Sequence, residues 1–145
     1  MKKNLFLTCG IVIVAMTMLI CGNVQAEISD KAIKSAKEQA SEYLIIEIIN
    51  HNTKPATPED RNNIWFTAKV LEIKRSKADL KIGDIIIIES YHFEPDESWV
   101  GPAIPPILPD GWRGEAFLNQ SKQNEKNFEI AIYGHSFVPL QSSDK

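Results

Sequence analysis

Cysteine is nearly missing from this chain. Only Cys9 and Cys21 occur, and both lie in an apolar N-terminal stretch. There Lys2 and Lys3 precede the run Leu5 to Ile20, and Val24-Gln25-Ala26 follows a short polar break. This is the order of a signal peptide: a positive region, a hydrophobic region and small residues before a cleavage site, here after Ala26. The run is short against the ~20 apolar residues of a membrane span, which argues against a retained anchor. Ile20 stands where a lipoprotein signal has a small residue, which argues against lipidation of Cys21. The expected mature chain, residues 27–145, is cysteine-free. That excludes a disulfide, a thiolate nucleophile and a cysteine-based zinc site, although the expected compartment, periplasmic or secreted, is oxidising.

Positive charge is scarce as well. The formal net charge is −3, and loss of the leader removes two lysines and no acid, giving −5. Such a balance speaks against a nucleic-acid partner, whose phosphates call for a basic footprint, and leaves no membrane association after cleavage. Catalytic signatures are absent too: no GlyxSerxGly elbow, no HisGluxxHis, no EF-hand loop, no phosphate-cradling glycine loop, no internal repeat. His135 and Ser136 are chain neighbours whose side chains diverge on extended backbone, so they make no nucleophile–base pair.

What the sequence does contain is a ribbon. Ile64 to Ile73 and Asp84 to Phe93 read as two long strands around a polar turn. In the first, Ile64, Phe66, Ala68, Val70 and Glu72 form the more apolar alternating set and are expected to face a core. The second holds Ile85 to Ile88, four isoleucines in a row, a run expected where both faces of a strand are covered. Gly83 can adopt positive φ in the turn, and Asp84 can bond the bending backbone. The basic tip Lys74-Arg75-Ser76-Lys77 reads as a solvated turn that discourages edge pairing.

Around the ribbon, Ser29 or Asp30 can cap a helix carrying Ile33, Ala36, Ala40 and Tyr43 on one face. Tyr43 to Asn50 is expected as the first strand, with one helix over Asp30 to Ile49 as the alternative. His51 to Asn63 reads as a loop on composition, and Pro95 ends the second ribbon strand. Trp99 to Trp112 holds four prolines in fourteen residues, enough to impose extended geometry. It is either a stiff crossover plugging the core with Ile104, Ile107 and Leu108, or a binding lip between two tryptophans. Arg113 to Asn119 and Phe128 to Tyr133 read as a closing hairpin, and Gly134 to Phe137 as a further turn. About five short strands with one or two helices in a single domain over residues 27–145 predict a mainly β fold, a small Greek-key barrel of the OB type. A β-sandwich is the alternative.

Several stretches together resemble a family of small secreted OB-like domains related to the tissue-inhibitor-of-metalloproteinase and netrin-like fold. They are Ala68-Lys-Val-Leu-Glu-Ile73, Leu80-x-x-Gly83-Asp84 leading into the isoleucine run, Gly101-Pro102, Ala116-Phe117-Leu118, and Tyr133-x-x-Ser136-Phe137. The resemblance spans roughly residues 43–138 and implies a barrel that serves as a binding module. The inhibitors of that family hold a protease zinc through an N-terminal cysteine. Here the expected start is Glu27 and no cysteine remains, so no functional residue carries over.

The sequence therefore points to a non-catalytic module that engages an envelope or extracellular protein, or a small ligand, without a cofactor. The candidate surface is Tyr91, His92, Trp99, Gly101, Pro102 and Trp112. The alternative is a metal-binding protein or metal-dependent enzyme using His92 and Glu94, two apart on a strand, joined by His51 or His135. A structural subunit of an envelope assembly is a third reading. Glu94, Asp96 and Glu97 read as a solvated acidic loop in preference to a calcium site.

Overall fold

The computed structural model describes residues 29–56, 61–95 and 97–140. The expected leader and its cleavage point after Ala26 lie outside the described residues, as do Asp96 and the tail after Leu140.

Chain alternation builds the barrel. Among the described residues six strands follow one helix: α1 (Asp30–Gln39), β1 (Glu42–Ala56), β2 (Arg61–Arg75), β3 (Ile85–Phe93), β4 (Arg113–Gln120), β5 (Phe128–Ile130) and β6 (Phe137–Pro139). The hydrogen-bonded order runs β1-β2-β3-β5-β4, and β1 pairs β4 to close the ring. All pairings are antiparallel except β3 with β5. This is a mainly β, closed five-stranded OB-like barrel, with β6 outside the ring on β4. A sandwich of two stacked sheets is excluded by the closure.

Every second residue enters the ring. Leu44, Ile46 and Ile48 of β1, Ile64, Phe66, Ala68 and Val70 of β2, and Ile86 and Ile88 of β3 are buried in one cluster with Ala116, Leu118 and Phe128. The inward set expected for β2 is the one observed, except that Glu72 is exposed and pairs with Lys74. The isoleucine run is a different matter. Ile86 and Ile88 are buried but Ile85 is 56 % exposed, so the run follows ordinary alternation and its outer face is only partly covered. The turn uses Gly83 at φ +96°, and its N–H donates to the Val70 carbonyl over 2.8 Å. Asp84 Oδ2 accepts the Lys81 N–H at 2.8 Å.

The helix is capped as its first residues suggest. Ser29 accepts the Ala32 N–H on its side chain, and the helix stops at Gln39. Ile33 and Ala36 pack against Ala40, Phe117 and Ile132, a second cluster outside the ring. Tyr43 stacks on Phe117 with centroids 4.6 Å apart. Its hydroxyl donates to Glu115 Oε1 at 2.6 Å, and this bond, helped by burial, raises the phenol's pKa above its ordinary value. A folded-state pKa above the unfolded one means the native state holds a proton that the unfolded state releases near pH ~10. The contribution is thus complete below that pH and disappears as pH climbs through the folded value. Urea midpoints measured from pH 8 to 11 should fall less steeply in Tyr43→Phe than in wild type; identical slopes would contradict this.

One segment departs from expectation. His51 to Asn63 is not a loop: β1 continues to Ala56, β2 starts at Arg61, and Lys54 lies opposite Asn63. Asn50 to Pro55 are exposed, because this end of the ribbon extends beyond the core. With no apolar side to bury, it carries no period-two signature, and its composition looks like a turn.

β5 and β6 behave as one interrupted strand. Leu118 faces Ile130 and Ala116 faces Phe137, so two steps along β4 correspond to seven along its partner, five more than a regular ladder uses. The surplus bulges out as an excursion over residues 131–136, with a 3-10 turn at Tyr133–His135. The buried Ser136 pins it. Its hydroxyl accepts the Ile132 N–H at 2.7 Å and its carbonyl accepts the Phe117 N–H at 2.9 Å. Ser136→Ala leaves a buried donor unpaired, and chemical denaturation should show a loss of about 1–3 kcal/mol.

Candidate functional site

The outer face of β2 and β3 is built by register. Arg61 lies opposite Phe93, Asn63 opposite Tyr91 and Trp65 opposite Glu89. Period-two geometry puts all six side chains on the solvent side of the barrel, in rows two residues apart. The rings form a staircase. Tyr91 and Phe93 lie nearly parallel with centroids 6.4 Å apart, and Phe93 meets Trp99 edge to face at 4.9 Å. Arg61 lays its guanidinium over the Tyr91 ring, 3.9 Å from the centroid. One row down, Lys54 stands over Trp65 at 5.6 Å.

Two adjoining clefts share this face. The first, about 350 Å³, is chiefly apolar and lies between the staircase, Pro102, Ile104 and Tyr133, with Glu94 on its rim. The second, about 500 Å³, is more polar and is lined by Asn63, Trp65, Glu89, Gln123 and Glu129. Arg61, Tyr91 and Tyr133 line both. The Tyr91 phenol is held above its ordinary pKa chiefly by burial, then by the neighbouring Tyr133, with Arg61 opposing. It therefore stays a hydrogen-bond donor across the physiological range. Glu89 is fixed from both ends of the β4–β5 turn: Ser121 donates to one oxygen at 3.0 Å and Asn127 to the other at 2.7 Å.

The proline-rich segment makes the cleft's far wall. Trp99 folds back over Gly101, where a Cβ would come within 2.2 Å of the indole, and its Nε1 donates to the Pro102 carbonyl at 3.3 Å. Glycine at 101 thus makes room for the ring. Further on, Gly134 of the excursion donates to the Ala103 carbonyl at 2.8 Å, and a Cβ there would stand 2.7 Å from the Ile104 oxygen. Tyr133 is held at φ +41°, a conformation that costs a residue with a Cβ about 1–2 kcal/mol. Its ring is nonetheless kept 45 % exposed at the junction of the two clefts.

Of the six residues that the sequence singled out, Tyr91, Trp99 and Pro102 line the apolar cleft, and Gly101 seats Trp99. His92 points the other way and anchors the wall: its Nδ1 lies 2.9 Å from the Pro105 carbonyl. Trp112 stands apart. It packs on Gly114, meets Phe137 edge to face at 5.9 Å and joins the barrel core. The segment is both lip and plug, with Pro105 and Leu108 buried and Ile107, expected inside, 45 % exposed.

The metal alternative finds no assembly. β3 ends at Phe93, so Glu94 leaves the ladder, while His51 sits by Asp110 at 3.4 Å. Among the described residues no three His, Cys, Asp or Glu side chains group so as to hold a metal ion.

Arg61, Phe93, Ala103, Ile104 and Tyr133 line the apolar cleft without being among the six candidates. Arg61 lies in the stretch whose composition reads as a loop. The pattern of Phe128 to Tyr133 sets Tyr133 at the end of a strand, and its proximity to Tyr91 has no local signal. No protein-family model and no curated protein matches the chain.

Proposed function

We propose that this protein is an exported, non-catalytic binding module whose ligand seat is the apolar cleft on the outer β2–β3 face. One observation carries the reading. Trp99 and Tyr133, both 45 % exposed, are held in place around a concave cleft of about 350 Å³ together with Tyr91 and Phe93. That volume falls within the range of small-molecule sites, and concave apolar linings with a few polar groups are their usual form. Barrels of the OB type take ligands on the strand 2–3 face and its flanking loops. Export rests on the Lys2-to-Ala26 leader, and a binding role accords with the netrin-like resemblance of residues 43–138.

The test is a thermal-shift screen of small ligands and short peptides against wild type, Trp99→Ala and a remote control, Ile82→Ala. Ligands that raise the melting temperature of wild type should lose that effect in Trp99→Ala and keep it in the control. Shifts that survive in Trp99→Ala would place the ligand seat elsewhere.

A further inference from the structure

We infer that the apolar cleft recognises a ligand with an apolar body ending in a carboxylate, held by Arg61. The inference rests on the binding reading above and adds the ligand's chemistry. Among the described residues, Arg61 is the only cation lining the apolar cleft. It forms no ion pair with any acid among the described residues; the ion pairs there involve His51, Lys74 and Arg113. A stacked guanidinium has its flat face occupied by the ring and its fork of N–H donors directed outward in the plane. That fork matches a carboxylate through two parallel hydrogen bonds. Here the ring beneath is Tyr91 at 3.9 Å, itself a wall of the cleft. The donor fork and the apolar walls of Phe93, Trp99, Pro102 and Ile104 therefore open on the same space.

Charge limits the choice further. Among the described residues, Glu94 is the one acid lining this cleft, and Glu89 and Glu129 line the adjoining one. A single cation among these acids suits a monocarboxylate and disfavours a polyanion. The same chemistry is presented by a small apolar monocarboxylic acid and by a peptide chain ending in an apolar residue.

Titration calorimetry on the intact domain tests this with four probes. They are N-acetyl-leucine, its carboxamide, an acetylated hexapeptide ending in leucine with a free carboxylate, and that hexapeptide amidated. Each carboxylate should bind at least about tenfold more tightly than its amide, the usual order for a charge-assisted bidentate contact. Arg61→Gln should abolish that preference and Arg61→Lys restore only part of it, while Lys81→Gln leaves it intact. A hexapeptide acid that binds more tightly than N-acetyl-leucine identifies a chain end as the ligand; equal affinity identifies the small acid. Equal binding of acid and amide, a preference that survives Arg61→Gln, or no binding of any probe at millimolar concentration overturns the inference. If acid and amide bind equally and both are lost in Trp99→Ala, the cleft stands and only the carboxylate falls. If binding is unaffected by Trp99→Ala, the cleft assignment falls with it.

Discussion

Phe66→Ala should remove most of the protein's stability at room temperature. The ring is fully buried at the centre of the barrel, edge-on to Phe137 at 5.9 Å, and its strand neighbours Ile64 and Ala68 are equally buried. Truncating a buried phenylalanine costs about 3–5 kcal/mol, from lost transfer energy and an unfilled cavity. A domain of this size has only about 5–15 kcal/mol in total. Two features place this chain toward the low end. It has no disulfide among the residues expected to remain after export, and a third of its longest ribbon lies outside the core. The closed ring also limits relaxation, because moving any wall strand inward breaks a ladder on one side or the other. Circular dichroism with a urea titration checks the expectation. A midpoint within a few tenths molar of wild type would show that the ring does not depend on this side chain.

Gly134→Ala should be the most damaging single-methyl change for binding. The new Cβ would lie 2.7 Å from the Ile104 oxygen and 2.9 Å from the Ala103 carbonyl. All of these are backbone atoms, which cannot swing away as a side-chain tip can. The proline-rich wall must then move off the excursion, stretching the 2.8 Å bond from Gly134 N–H to the Ala103 carbonyl. Overpacking of this kind costs about 1–3 kcal/mol. The larger effect is on the cleft, because Ala103 and Ile104 are one wall of it and Tyr133 is another. Ligand affinity should fall by about tenfold or more while the barrel core stays folded, since the tie lies outside the ring. A variant that binds normally would show that the two walls are set independently of Gly134.

The ring was readable from the sequence because burial imposes alternation. Ile64 through Val70, Gly83 with Asp84, and the Arg113–Asn119 hairpin all carry local signals of the structures they adopt. The outer half of β1 and β2 was not readable. Lys54 and Asn63 pair across a ribbon that buries nothing, so no apolar period marks them. The two tryptophans show the limit in another way. Trp99 and Trp112 each lie over a glycine two residues on, yet Trp112 packs against the core beside Phe137 while Trp99 stays on the surface against Phe93. The cleft depends on the parallel contact of β3 with β5, which joins Ile88 to Phe128. Pairing across such a separation is set by closure of the ring and leaves no trace in either strand alone.

Ligand must meet the protein on the outer β2–β3 face. Amide and indole chemical shifts recorded during titration with N-acetyl-leucine or its carboxamide locate that meeting point residue by residue. The account predicts that Tyr91, Phe93, the Trp99 indole N–H, Tyr133 and Gly134 shift together along one saturating curve while the Trp112 indole stays in place. Shifts centred on Trp112, on the Lys74–Asp84 tip or on α1, with the cleft residues unmoved, would contradict it.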